Sequence, residues 1–121
     1  METRTLGAFG EEQAVRCLRR KGYRIVERNF RCRQGEIDVI ARKRDVLAFV
    51  EVKLRKDERF AEAREFVTRA KQERILTAAQ LYLARHAELQ ELQPRFDVIE
   101  VYAPQGEDGP VRLEHLENAF E

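Results

Sequence analysis

The chain has 121 residues, 43% of them hydrophobic and 37% charged, and a net charge of +1. That length suits a single domain over residues 1–121 with one real core, and a charge density above the usual quarter predicts a densely ionic surface. Cys17 and Cys32 lack CxxC spacing and the histidines are His86 and His115, which excludes a structural zinc site of ordinary pattern.

No apolar run approaches the roughly 20 residues of a membrane span, and nothing near the N-terminus has the apolar run of a signal peptide. A cytoplasmic chain with reduced thiols and no membrane partner is expected. The charge is unevenly spread. From Arg19 to Arg33 seven basic residues stand against Glu27, and from Glu100 onward six acids stand against Arg112. Such asymmetry suits a polyanionic partner on the basic side, or simply a solvated helix end and loop.

Leu6, Phe9, Ala14, Cys17 and Leu18 recur at helical spacing, which predicts a helix over Thr5–Lys21 closed by Gly22. Tyr23–Asn29 reads as a strand and Phe30–Gly35 as a basic loop. Glu36–Ala41 and Val46–Leu54 are the clearest strands, separated by Arg42–Asp45. Thr68 can cap a helix reaching about His86, with Ile75, Ala78, Ala79 and Tyr82 on one face. After Pro94, Phe96–Tyr102 predicts a further strand and Gln105–Pro110 a turn-rich loop. Val111–Leu113 predicts a short edge strand before a loosely ordered tail. The order α-β-β-β-α-β-(β) predicts an α/β layered domain with two helices around one mixed sheet.

If Arg44-Asp45 is a two-residue loop, Ile40 faces Phe49, Asp38 faces Glu51 and Glu36 faces Lys53. Alternation then puts Ile37, Val39, Ala41, Val46, Ala48, Val50 and Val52 on one apolar face. The other face is apolar near the turn, with Ile40, Leu47 and Phe49, and ionic at the far end, where Glu36, Asp38, Glu51 and Lys53 gather. Facing carboxylates repel each other. A divalent cation between them makes the pair tolerable, and hard oxygen donors suit magnesium. Lys53 shares the face of Glu51 and could polarise a water or steady developing phosphoryl charge. The alternative is a solvated sheet face on which Lys53 pairs with Glu36 or Glu51. A slip of one residue would part Asp38 from Glu51.

The run Gly35-Glu36-Ile37-Asp38-Val39-Ile40-Ala41, followed by Phe49-Val50-Glu51-Val52-Lys53-Leu54-Arg55, resembles the active-site hairpin of PD-(D/E)XK nucleases. The whole chain is similar to the YraN-like family of small bacterial proteins, predicted endonucleases related to archaeal Holliday junction resolvases. Carrying that likeness are Gly7, Gly10, Glu11 and Ala14, then Gly22-Tyr23 and Asn29-Phe30. Further on come Lys71, Arg74, Ala78 and Tyr82, then Phe96-Asp97-Val98 and Asn118-Ala119-Phe120. Ala61, after Phe60, departs from the glycine expected there.

The resemblance implies a restriction-endonuclease-like (Holliday junction resolvase-like) three-layer fold, a central mixed sheet flanked by helices. It implies Asp38 and Glu51 as ligands of Mg2+ or Mn2+, the Val52 carbonyl as a further ligand, and Lys53 as the catalytic lysine. It also matches Glu11 to a first-helix acid that approaches the metal. On the residues alone, Glu11 reads equally as a solvated glutamate.

Glu36 either holds Lys53 in place or forms a plain cross-strand ion pair. Lys71, on the stripe of Ile75 and Tyr82, either grips a phosphate or packs its stem with the ammonium reaching solvent. Tyr82 reads as core with a satisfied hydroxyl. Arg31, Arg33, Arg42, Lys43, Arg55 and Lys56 flank the hairpin and suit a phosphodiester backbone. With no aromatic ladder and no recognition helix, shape or backbone readout is expected. The expected activity is a Mg- or Mn-dependent endonuclease acting on DNA, branched or junction forms included. A non-catalytic module that binds nucleic acid or a partner on the same scaffold is the alternative, and RNA cleavage would share the chemistry. Symmetric cutting of a junction suits a homodimer.

Overall fold

The computed structural model describes residues 6–55 and 67–120. Thr5, Lys56, Phe60 and Ala61, named above, lie outside them. Helix α1 runs Leu6–Arg20 and buries Phe9, Ala14, Val15, Cys17 and Leu18. Gly22 then takes φ +93°, so its amide reaches Arg19 O at 3.0 Å and the Tyr23 amide reaches Leu18 O at 2.9 Å. This paired closure satisfies the last helical carbonyls and needs a residue that adopts positive φ without strain.

Five strands follow around one further helix: β1 (Arg24–Cys32), β2 (Gly35–Lys43), β3 (Val46–Arg55), α2 (Arg69–Arg85), β4 (Gln93–Tyr102) and β5 (Arg112–Phe120). They form one mixed sheet in the order β1-β2-β3-β4-β5, in which only the β3–β4 pair is parallel. The parallel pair requires a crossover, and α2 lies in it. Thr68 caps α2, its hydroxyl accepting from the Lys71 amide at 3.2 Å, and the helix closes at His86.

Each face of the sheet is covered by one helix. On one side Ala14, Val15 and Leu18 of α1 pack on Val39, Ala41, Ala48, Val50, Ile99 and Val101. On the other, Ile75, Ala78, Ala79 and Tyr82 of α2 pack on Ile37, Ile40, Leu47, Phe49 and Val98. The result is a three-layer α/β fold. Tyr82 is buried and donates to Glu27 Oε1 at 3.0 Å. No helix among the described residues is long and apolar enough to cross a membrane.

Two sequence expectations are corrected. The basic loop Phe30–Gly35 is only a two-residue turn, Arg33-Gln34, because β1 continues to Cys32. Phe30 is the cause. Its ring packs edge-on against Tyr82 with centroids 4.9 Å apart, and burying it draws the strand through basic residues whose side chains face out. The tail, expected to be loose beyond Leu113, is instead the nine-residue edge strand β5. Phe120 stacks on Phe96 at 5.4 Å, and His115 and the Asn118 amide both reach the buried Asp97 carboxylate. Pro94, expected to precede the last long strand, lies inside it. Gln93 donates to Asp45 O at 2.7 Å, so the Pro94 nitrogen faces away from β3, outside the β4–β5 register that begins at Phe96.

Asp97, fully buried, is bound by Arg95 at 2.9 and 2.8 Å, by His115 Nε2 at 2.8 Å and by the Asn118 amide at 3.0 Å. Burial alone would raise its carboxyl; the bonds from His115, Arg95 and Asn118 outweigh that and hold it at about 2. A carboxyl held lower in the folded state stabilises the fold above the ordinary carboxylate range, and that contribution disappears as pH falls toward 2. Asp97→Ala is therefore expected to cost about 3 kcal/mol at pH 7 by leaving the half-buried Arg95 guanidinium and the buried His115 ring without their acceptor. In urea melts between pH 5 and 2, the parent should lose stability more steeply than Asp97→Asn.

Candidate active site

The β2–β3 hairpin has the register that a two-residue Arg44-Asp45 loop requires, from Lys43 opposite Val46 to Val39 opposite Val50. Arg44 takes φ 56°, in the left-handed region. Beyond Val39 the ladder stops. Asp38 Oδ2 accepts the Val52 amide at 2.8 Å, so a side chain stands where a strand partner would otherwise be. A residue's N–H and C=O leave a strand on the same side, which turns the Val52 carbonyl toward the same gap.

Asn29 adjoins the break. It lies across from Asp38, between the pairs Arg28–Val39 and Phe30–Ile37, and adopts φ 55° inside a strand. Strict alternation fails there. Ile37 packs under α2 while Val39 packs under α1, although two residues apart they should share a face. The all-apolar face expected from alternation therefore holds from Val39 onward but loses Ile37.

Glu51 is 5% exposed. Its Oε2 is contacted by the Lys71 ammonium from α2 and lies 3.6 Å from Lys53 Nζ. Glu51 also lies within hydrogen-bonding reach of Asp38, whose carboxyl is pushed up to about 7 by burial and by that neighbouring carboxylate, against the opposing pull of the Val52 amide. Burial and the adjacent Lys71 pull the Lys53 ammonium below its ordinary value. Burial works against Lys71 as well, but its bond to Glu51 carries it above the ordinary value.

On the α1 side of the gap is a cleft of about 560 Å³ whose walls include Gly7, Gly10, Glu11, Asn29, Asp38 and Val52. Glu11 is no solvated glutamate: its side chain is 13% exposed, and Oε1 accepts from Arg28 Nε at 3.1 Å and from Asn29 Nδ2 at 3.0 Å. The structure thus brings Asp38, Glu51, Val52 and Lys53 to one gap, with Glu11 in the adjoining cleft and Lys71 beneath it.

The remaining residues divide. Glu36 does not reach Lys53; with the β2–β3 ladder ended, its neighbour is β1, and it pairs in the open with Arg31 at 3.2 Å. Arg31 also lines the cleft, while Arg33 is exposed in the β1–β2 turn. Arg55 is half-buried at the end of β3. Arg42 and Lys43 stand at the hairpin turn, the end away from the carboxylates, where Lys43 lies over the Tyr23 ring at 5.4 Å. Sequence reasoning missed Arg28 and Asn29 as holders of Glu11. An asparagine within a strand, a residue type depleted there and tolerant of left-handed backbone, was the available signal.

Among the described residues no three His, Cys, Asp or Glu side chains already stand together as a ligand group. The donor chemistry nevertheless fits a divalent cation. Two carboxylates adjoin, one of them resists ionisation because of its burial and of the other carboxylate, and a main-chain carbonyl faces the same gap.

Residues 10–101 match the family described as Uncharacterised protein family UPF0102. A UPF0102 protein of Symbiobacterium thermophilum is 48% identical over 119 residues, covering 98% of each chain. One from Syntrophotalea carbinolica is 46% identical over 117 residues, 97% of this chain and 92% of the relative. One from Caldanaerobacter subterraneus subsp. tengcongensis is 42% identical over 117 residues, 97% of this chain and 95% of the relative. The chain belongs to this family, the YraN-like grouping that its motifs resemble.

A carboxyl whose folded value lies above its unfolded one binds its proton more tightly when folded, so stability falls as pH rises from about 4 to about 7. Asp38→Asn keeps an acceptor for the Val52 amide and removes the charge. In chelator at pH 8 it is expected to be more stable than the parent by on the order of 2 kcal/mol. The difference should shrink as pH falls and vanish only toward about pH 4, measured by thermal melts across that range.

Proposed function

We propose that this member of the UPF0102 family is a metal-dependent endonuclease of the PD-(D/E)XK type, built on a restriction-endonuclease-like scaffold and acting on DNA. One observation carries the reading: two adjoining carboxylates, Asp38 and Glu51, meet where a strand ladder ends, with Lys53 two residues beyond Glu51 on the same face.

Asp38, Glu51 and the Val52 carbonyl would hold Mg2+ or Mn2+, which when bound supplies neutralisation of phosphodiester charge and a lowered pKa for the attacking water. The rest is done by the chain's own groups. Without a cation the site is already balanced, with two carboxylates against the ammonium groups of Lys53 and Lys71. Lys53 and Lys71, no longer needed to offset Glu51 once the site were filled, would be free to turn to an anionic substrate. Lys53, half-buried and below its ordinary value, is suited to orient the attacking water and steady the negative charge that grows on the phosphoryl oxygens. Lys71, on a rigid helix beside Glu51, is suited to take a non-bridging phosphate oxygen. Arg31 at the cleft adds a backbone contact without base readout.

The double pairing of Glu51 also suits a scaffold that binds nucleic acid without cutting it. The Asp38 carboxyl, raised by burial and by Glu51, favours the cutting reading, since a binder gains nothing from adjoining carboxylates.

Plasmid, linear and four-way-junction DNA incubated with Mg2+ or Mn2+ should yield products that EDTA abolishes. Asp38→Asn and Lys53→Ala should each lose at least ~100-fold in rate while remaining folded. Products that persist undiminished in both variants would remove the site from this hairpin. Lys71→Met should weaken DNA binding at fixed salt and lower the slope of log affinity against log salt by about one, measured by fluorescence anisotropy in Ca2+.

A further inference from the structure

Asn29 has two properties that the reading above does not use. Its backbone is left-handed, at φ 55°, within the regular pairing of β1 and β2. Its amide donates to Glu11 Oε1 at 3.0 Å, across the cleft that Asp38 and Val52 also line. The two are linked. Left-handed backbone at this position turns consecutive side chains, Arg28 and Asn29, to the same side, where both meet Glu11 on α1. A regular strand would send one of them to the opposite face.

The two donors are not equivalent. Arg28 spreads its guanidinium over Glu11 and Glu12 at 3.1 and 3.2 Å and is largely solvent-facing, which ties helix to strand without choosing one carboxylate. Asn29 is neutral, short and bonded to Glu11 alone among the side-chain contacts described for it. A neutral donor on one carboxylate oxygen fixes the orientation of the group while leaving its charge intact, as hydrogen bonds to a ligand carboxylate commonly do. Asp38 and Glu51 are two carboxylates, fewer oxygen donors than a hard divalent cation takes, and the acid held at the wall of the cleft beside Asp38 is Glu11.

We propose that Asn29 is a positioning residue: through its amide and its left-handed backbone it sets Glu11 as the third carboxylate facing the cation bound by Asp38 and Glu51. The inference rests on the metal-site reading above. It adds a specific coupling between residues 29 and 11.

Titration calorimetry of the full chain with Mn2+, without DNA, tests it. Asn29→Gly keeps the backbone conformation and removes the amide. Asn29→Asp keeps backbone tolerance and size but presents an acceptor to Glu11. Both are expected to weaken Mn2+ binding about 10-fold or more. Glu11→Gln should lose at least as much, and Asn29→Gly combined with Glu11→Gln should bind no more weakly than Glu11→Gln alone, the signature of one residue acting through the other. A thermal melt of each variant with chelator serves as control, and a melting temperature near the parent's is expected for Asn29→Gly. If the parent binds Mn2+, Asp38→Asn does not, and both Asn29 variants bind as the parent does, the inference is overturned and the metal site stands. Additive losses in the double variant overturn it equally. If the parent binds no Mn2+ at all, the site reading falls and takes the inference with it.

Discussion

Asp38 accepts the Val52 amide where a strand partner would otherwise stand, and everything distinctive about this site follows from that substitution. A ladder that continued past Val39 and Val50 would hold Asp38 and Glu51 on a closed sheet surface, with the Val52 main chain spent on β2. Ending it opens a gap, admits one carboxylate from each strand and frees a carbonyl. The surrounding layers keep the gap from collapsing. Val39, Ala41, Ala48 and Val50 are pinned under α1, while Ile40, Leu47 and Phe49 are pinned under α2, so the hairpin is rigid up to the residue at which it parts.

Two aspartates show how environment separates roles. Asp97 is the more deeply buried, yet it is met by a guanidinium, an imidazole and a main-chain amide, and its carboxyl is held at about 2. Asp38 is raised to about 7 by its burial and by the carboxylate it faces, with one amide pulling the other way. The first has every lone pair answered by the fold and fastens β5 to β4. The second keeps its proton to higher pH than an ordinary carboxyl, a perturbation of the kind that burial and a like-charged neighbour produce. Glu51 stands between the two conditions, answered by Lys53 and Lys71 until something with more charge competes for it.

Much of this was legible in the residues. The helical stripe of α1, the Thr68 cap, the apolar strands and the two-residue hairpin loop all follow from local patterning that tertiary packing did not override. The alternation rule also brought Asp38 and Glu51 to the same end of the hairpin. It could not show that the ladder stops before them, because there the Asp38 side chain takes the Val52 amide, which a rule of alternating faces does not read. Of the two readings of Glu36, a hold on Lys53 and a plain cross-strand ion pair, the structure shows the second, with Arg31 of β1. The tail was misjudged because Glu114 and Glu117 hide the apolar pattern of an edge strand whose anchor, Asp97, is remote in sequence. The charge count over Arg19–Arg33 leaves open which arginines are paired; Arg28 is spent on Glu11 and Glu12 and Arg31 on Glu36.

The account comes down to whether a cation enters the gap. Crystals soaked in Mn2+, with diffraction measured at the manganese absorption edge, answer that without reference to activity or substrate. The account requires an anomalous peak bounded by the carboxylates of Asp38 and Glu51 and the carbonyl of Val52, with the Lys71 ammonium drawn away from Glu51. A gap with no anomalous density, and Lys71 still seated on Glu51, would show that the carboxylates balance the lysines for the sake of the fold alone.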